Sequence, residues 1–199
     1  VIPHFAVTFD YRCPFACNVN ERLIAALEAG APWEVRFRPF SLGQAHVEPG
    51  EPDVWDDPDS DSGLLALQYA IAVRDGQPEA FLATHRELFA LRHRLARSLN
   101  DEMELCGALE RADADVAVAV EAVASGLPLE TIRKEHESAV AEHDVWGVPT
   151  FVVGERAAFV RLNTGVADDP DPRATIERIV GMLVEWPELN EFKHTTLQH

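Results

Sequence analysis

Apolar positions change their period along the chain, and the changes divide it into segments. The run Phe5-Ala6-Val7-Thr8-Phe9 predicts a buried strand at about 4–9. Leu23, Ile24 and Leu27 then recur at helical spacing and predict a helix at about 14–29, closed by the turn Gly30-Ala31-Pro32. Alternation in Trp33-Glu34-Val35-Arg36-Phe37 predicts a second strand at about 33–38. A strand–helix–strand unit of this length implies parallel pairing through a right-handed crossover. From about 64 to 143 the pattern is helical, with helices expected at about 64–74, 79–97, 101–111, 113–124 and 129–143. Gly76-Gln77-Pro78, Asn100-Asp101 and Gly126-Leu127-Pro128 separate them. Strands return at about 150–153 and 157–161 around Gly154-Glu155. A last helix at about 172–185 carries Ile176, Ile179, Val180 and Leu183 on one face, and the tail beyond Trp186 reads as peripheral.

The resulting order is βαβ, a helical block, then ββα: an α/β chain whose sheet is split by an all-helical insertion. Residues 1–47 and 147–199 are expected to form the sheet domain and 62–145 the inserted one. Between them, residues 48–61 hold seven carboxylates among Pro49, Pro52 and Pro58 and predict a solvated loop leading away from the sheet. Their spacing does not match a calcium loop.

Composition narrows the function. The chain has 199 residues, is 47% hydrophobic and suits a packed soluble core. A net charge of −17, from 17 basic and 34 acidic side chains, argues against nucleic-acid or anionic-membrane partners. Arg92, Arg94 and Arg97 are the nearest approach to a basic cluster and read as one side of a helix. No run reaches the length of a membrane span. The first strand starts without room for a signal peptide, which predicts a cytoplasmic protein, although the missing initiator Met allows for a trimmed upstream segment. Three cysteines are too few for a disulfide framework.

The chemistry concentrates where the first strand hands over to the first helix, at Cys13-Pro14-Phe15-Ala16-Cys17. Unpaired N–H groups of a first helical turn favour negative charge, so Cys13 is expected to ionise readily, with Arg12 adding positive potential. Pro14 suits the first helical position because its missing N–H has no partner there anyway. Cys17, four residues on, shares a helical face with Cys13. Cβ atoms at such spacing are about 5–6 Å apart and a disulfide needs about 3.5–4.5 Å, so a bridge is possible but strained.

Asp10-Tyr11-Arg12-Cys13-Pro14-Phe15 and Val148-Pro149-Thr150, in this order of elements, resemble the DsbA-like thioredoxin-fold family. Its relevant branches include FrnE-like proteins, mycothiol-dependent nitroreductases, kappa-class glutathione transferases and 2-hydroxychromene-2-carboxylate isomerases. The resemblance covers nearly the whole chain and implies a thioredoxin fold with a helical insertion. It also implies thiol–disulfide oxidoreductase activity, with a small thiol or disulfide as substrate and mycothiol or glutathione as co-substrate in place of a tightly bound cofactor. Pro149 resembles the cis-proline that faces the active cysteine in that fold, which would leave the Val148 N–H and C=O free for a bound chain. The chain departs from the common Cys-x-x-Cys motif, because Ala16 fills the fourth position and Cys17 follows it.

Three readings of the cysteines stay open: a dithiol in which Cys17 resolves mixed disulfides on Cys13, a monothiol using Cys13 alone in a transferase, isomerase or nitroreductase, and two inert apolar residues. Tyr11, Phe15 and Trp146 are candidates for an apolar platform at the mouth, or for core. His46 is a candidate proton carrier. Asp10 is a candidate proton acceptor or helix brace, and Cys106 reads as a buried apolar residue. A metal site is not expected, since no His or Cys is placed to complete a tetrahedral set with Cys13 and Cys17. Oligomeric state is not readable from the sequence.

Overall fold

A computed structural model describes residues 4–194, so the outer limits of the expected sheet domain, at 1 and 199, lie outside the described residues. The order is β1 (His4–Phe9), α1 (Pro14–Glu28), β2 (Glu34–Pro39), α2 (Leu42–Ala45), α3 (Leu64–Gly76), α4 (Phe81–His93), α5 (Glu102–Arg111), α6 (Val116–Ala124), α7 (Leu127–His143), β3 (Thr150–Val153), β4 (Arg156–Phe159) and α8 (Pro172–Glu185). The strands form one 4-stranded sheet in the order β2-β1-β3-β4. β1 pairs parallel with β2 and antiparallel with β3, and β3 pairs antiparallel with β4. This is a thioredoxin-like sheet with a helical insertion between β2 and β3.

β1 is central, and Val7, Thr8 and Phe9 are fully buried. Its run of apolar side chains without polar alternation suits a strand covered on both faces. α1 packs against α8, which also contacts β3 and β4, while α4 of the insertion packs on α1 and α7 on β2. The sulfur-bearing end of α1 therefore lies beside both the β3 side of the sheet and the helical block.

Some boundaries shift for local reasons. The helix expected to reach residue 97 ends at His93, and Ala96 adopts a left-handed φ of 52° that exposes Leu95. α6 starts three residues later than expected because Asp113 has φ 57° and the Asp115 carboxylate caps the N–H groups of Ala117 and Val118. β4 stops at Phe159, leaving Arg161 outside the strand. α2, a single turn, was not expected; the Ser41 hydroxyl caps it by accepting from the Gln44 N–H.

The acidic loop departs from its expected course at one end. Asp61 folds back and is buried, pairing with Arg12 at 2.9 Å. A guanidinium largely withdrawn from water needs anionic partners, and Asp61 meets that need. Two glycines make room for the pair. A Cβ on Gly63 would lie 2.6 Å from Arg12 Nε, and one on Gly43 would lie 1.8 Å from Asp61 Oδ2.

His85 joins the insertion to the sheet domain. It is fully buried within reach of the Phe9, Tyr11, Phe37, Phe81 and Phe89 rings, at centroid distances of 4.6, 5.4, 5.1, 5.1 and 5.0 Å. Asn20 donates through Nδ2 to the Ala16 carbonyl, so its Oδ1 accepts, and His85 Nε2 is the donor to it at 3.1 Å. Nδ1 then accepts from the Tyr11 hydroxyl at 2.7 Å. Burial pushes His85 down to about 3, fixing it as neutral imidazole.

Because the folded chain holds His85 neutral while the unfolded chain protonates it near 6.5, this group contributes stability above the unfolded value and loses it as pH falls toward about 3. Replacing His85 with Gln is expected to reduce the pH slope of the unfolding free energy between about pH 6 and 4 by about 1.4 kcal/mol per pH unit relative to the parent. Urea titrations at stepped pH measure the difference; identical slopes would show that His85 is protonated in the fold.

Candidate active site

The Asp10–Cys13 turn presents the first thiol. The Cys13 N–H donates to the Asp10 carbonyl at 3.1 Å, and Cys13 itself is the N-cap of α1. Its sulfur accepts from the Ala16 N–H at 3.4 Å and donates to the Val148 carbonyl at 3.3 Å. Pro14 occupies the first turn, where no helical partner for an N–H exists.

Opposite lies the Gly147–Thr150 turn, with a cis Val148–Pro149 peptide. The Thr150 N–H donates to the Thr8 hydroxyl at 2.9 Å, and the Thr150 hydroxyl donates to the Gly147 carbonyl at 2.8 Å. These bonds tie the turn to β1 and hold the Val148 carbonyl over the sulfur. The expectation that this carbonyl stands free is corrected: the Cys13 thiol occupies it, because a thiol that faces a lone acceptor at the helix end bonds to it.

Electrostatics around Cys13 also differ from expectation. Burial raises the thiol above its ordinary value, opposed by the N–H groups of Ala16 and Phe15. Asp10 raises it further and Arg161 lowers it. Arg12 does not serve as the expected cation. It binds Asp10 through Nε at 3.0 Å and Nη2 at 2.6 Å, and Asp61 through Nη1 at 2.9 Å. Asp10 is fully buried and also accepts from the N–H groups of Arg12 and Leu42, so it braces the loop.

Cys17 lies one turn along α1 and is buried; both cysteines are free thiols. It is pushed up to about 12, first by burial and then by the Glu21 carboxylate, with Arg94 opposing. Glu21 is itself buried and forms an ion pair with Arg94. Sequence reading missed Glu21, although its spacing of four from Cys17 places both on one helical face. It also assigned Arg94 only to a helix side.

The proposed mouth residues separate. Tyr11 is core, not mouth: its ring packs on Phe9 and Phe89 and its hydroxyl is held by His85. Its carbonyl accepts from His93 Nε2 at 2.8 Å. Phe15 is half-buried, with the Arg161 guanidinium 5.2 Å from its ring centre. Trp146 is 68% exposed and packs on Phe159 at 4.4 Å. Arg161 also lies 5.8 Å from the Phe159 ring, so Phe15, Arg161, Phe159 and Trp146 form one continuous rim. Phe159 and Arg161 went unremarked in the sequence because nothing local connects them to Cys13.

His46 is exposed, with its imidazole Nδ1 at the Leu42 carbonyl, and Cys106 is half-buried rather than buried. Among the described residues, no three His, Cys, Asp or Glu side chains converge as a metal site requires. Among the described residues, no helix is long and apolar enough to cross a membrane.

A sheet of this order, with a helix-capping thiol facing a Pro-containing turn, defines a thioredoxin-fold thiol protein. The profile of the DSBA-like thioredoxin domain matches residues 6–167, and the chain belongs to that family. No curated protein sequence matches it significantly. Among solved structures it resembles a periplasmic thioredoxin-like protein from Salmonella enterica serovar Typhimurium, at 20% identity and TM-score 0.59, over 90% of this chain and 83% of that one. The catalytic domain of Proteus mirabilis ScsC is similar at 18% identity and TM-score 0.60, over 90% and 82%. A 2-hydroxychromene-2-carboxylate isomerase is similar at 15% identity and TM-score 0.62, over 90% and 97%. At these identities the likeness is one of fold.

The two thiols should separate cleanly in reactivity. With iodoacetamide at about pH 8, Cys13 is expected to label while Cys17 stays largely protected. Removing the Glu21 charge by Glu21→Gln leaves Arg94 facing Cys17 and lowers its pKa, so its labelling near pH 9 should rise about tenfold. Peptide mapping reads both; an unchanged Cys17 rate would show that burial alone protects it.

Proposed function

We propose that the protein is a thiol–disulfide oxidoreductase in which Cys13 is the attacking thiol and Cys17 the resolving one, with a low-molecular-weight thiol as reductant. The observation that carries the proposal is the Cys13 sulfur at the N-cap of α1, within 3.3 Å of the Val148 carbonyl beside Pro149. A substrate backbone or thiol would compete for that carbonyl and release the Cys13 proton to solvent. The thiolate so formed keeps the Ala16 and Phe15 N–H groups as donors.

In the first step the Cys13 thiolate attacks one sulfur of a substrate disulfide. The Cys13–substrate bond forms, the substrate S–S bond breaks, and the departing thiolate takes a proton from water. Cys17 then loses its proton, for which the Glu21 carboxylate is the neighbouring acceptor, and attacks the Cys13 sulfur. The Cys17–Cys13 bond forms, the Cys13–substrate bond breaks, and the second substrate half leaves as a thiolate that takes up the proton held by Glu21; the substrate is reduced and the protein oxidised. Mycothiol or glutathione, as co-substrate in the cytoplasm, would return the dithiol.

A second reading has Cys13 act as a monothiol in a transferase, isomerase or nitroreductase. The burial and high pKa of Cys17 favour it, since a thiol pushed up to about 12 resolves slowly. One experiment separates the two. Reduced protein is equilibrated across a series of thiol–disulfide buffers, then alkylated and mapped by mass spectrometry. The dithiol mechanism predicts reversible loss of two thiols as a Cys13–Cys17 bridge, and Cys17→Ala should accumulate a mixed disulfide on Cys13. A stable mixed disulfide on Cys13 in the parent, with Cys17 free, favours the monothiol. Cys13→Ser should abolish exchange in either case.

A further inference from the structure

The rim beside Cys13 carries a cation whose role the exchange chemistry leaves open. Arg161 is exposed and forms no ion pair among the described residues. Its guanidinium lies over Phe15, two residues from Cys13, and reaches Phe159 on the other side. A guanidinium stacked on aromatic faces keeps its in-plane N–H groups available, and that fork matches a carboxylate.

The surrounding charges sharpen the point. Asp10 and Asp61 are committed to Arg12 and to the N–H groups of Arg12, Leu42 and Gly63, and Glu21 is committed to Arg94. On a chain of net charge −17, an anion approaching Cys13 meets general repulsion and needs a local cation to compensate. Arg161 is placed to supply it, and Phe159 and Trp146 continue the apolar rim that would hold the ligand's carbon skeleton.

We propose that Arg161 is a specificity residue that selects sulfur substrates bearing a carboxylate, such as the anionic peptide glutathione, over neutral or cationic ones. The assignment rests on Cys13 being the reacting thiol. Of the two co-substrates considered, mycothiol carries no carboxylate and gains nothing from this contact.

The test uses three symmetrical disulfides of similar size: 3,3′-dithiodipropionate with two carboxylates, uncharged bis(2-hydroxyethyl) disulfide, and cystamine with two ammonium groups. In each reaction a Cys13–S bond forms, the probe S–S bond breaks, and the leaving thiolate is protonated by water. Rates of mixed-disulfide formation on Cys13 are read by mass spectrometry in the full-length Cys17→Ala chain, which traps the product. Arg161→Gln also alters the Cys13 thiolate, but that effect is common to all three probes and cancels in their ratios. The dithiodipropionate-to-neutral rate ratio is expected to fall about fivefold in Arg161→Gln, with the cystamine ratio rising. Arg178→Gln, an exposed site on α8 that changes net charge equally, should leave both ratios in place. Equal slowing of all probes in Arg161→Gln, or an equal ratio change in Arg178→Gln, overturns the selectivity role. If Cys13 reacts with none of the probes while unfolded protein reacts with all, the exchange reading itself falls.

Discussion

The ion triad of Asp10, Arg12 and Asp61 fixes the loop on which the sulfur chemistry depends. Asp10 ends the approach from β1, Arg12 precedes Cys13, and Asp61 returns from the acidic loop to close the set. Removing one member of such a buried set strands the others without partners, which is far more costly than the pair's net contribution. The rigidity this gives is local and directional: with Tyr11 held at its hydroxyl by His85 and at its carbonyl by His93, the loop is gripped from the sheet and from the insertion together. The helical block thus reaches the loop before the thiol through α4.

The same arrangement explains why a cysteine at a helix N-terminus is not an acidic thiol here by default. Two N–H groups favour its anion, while burial and the Asp10 carboxylate oppose it. The sulfur is poised by competition. In the proposed exchange, a ligand that displaced the thiol from the Val148 carbonyl would change this balance on binding. One turn along the helix the balance is more one-sided, so the two sulfurs differ in environment although they share a face.

Local pattern made much of this legible. The strand–helix–strand opening, the helical block, the thiols at the junction and the Val148–Pro149 turn are each encoded within a few neighbouring residues by period, punctuation and cap chemistry. What escaped the sequence depends on partners far apart along it. Arg12 reads as a free cation until Asp61, 49 positions on, is placed beside it. Tyr11 reads as a mouth residue until His85, 74 positions away, takes its hydroxyl. Arg161 lies just beyond a short strand, and only the pairing of β3 and β4 brings it round to Phe15. Helix ends differ where single residues adopt positive φ, as at Ala96, a residue type that rarely does so, and at Asp113, a type that tolerates it but adopts it at few of its positions.

Gly43 and Gly63 bear no chemistry, yet both crowd the Arg12–Asp61 pair so closely that a methyl group at either would force it apart. Parting the pair would leave Arg12 with Asp10 alone and Asp61 without its cation, and the loop that leads to Cys13 would lose its tie to the acidic segment. The shape of the thiol loop is therefore guarded by two positions that have no side chain of their own, and a single methyl group at either would be felt by a charge set made elsewhere in the sequence.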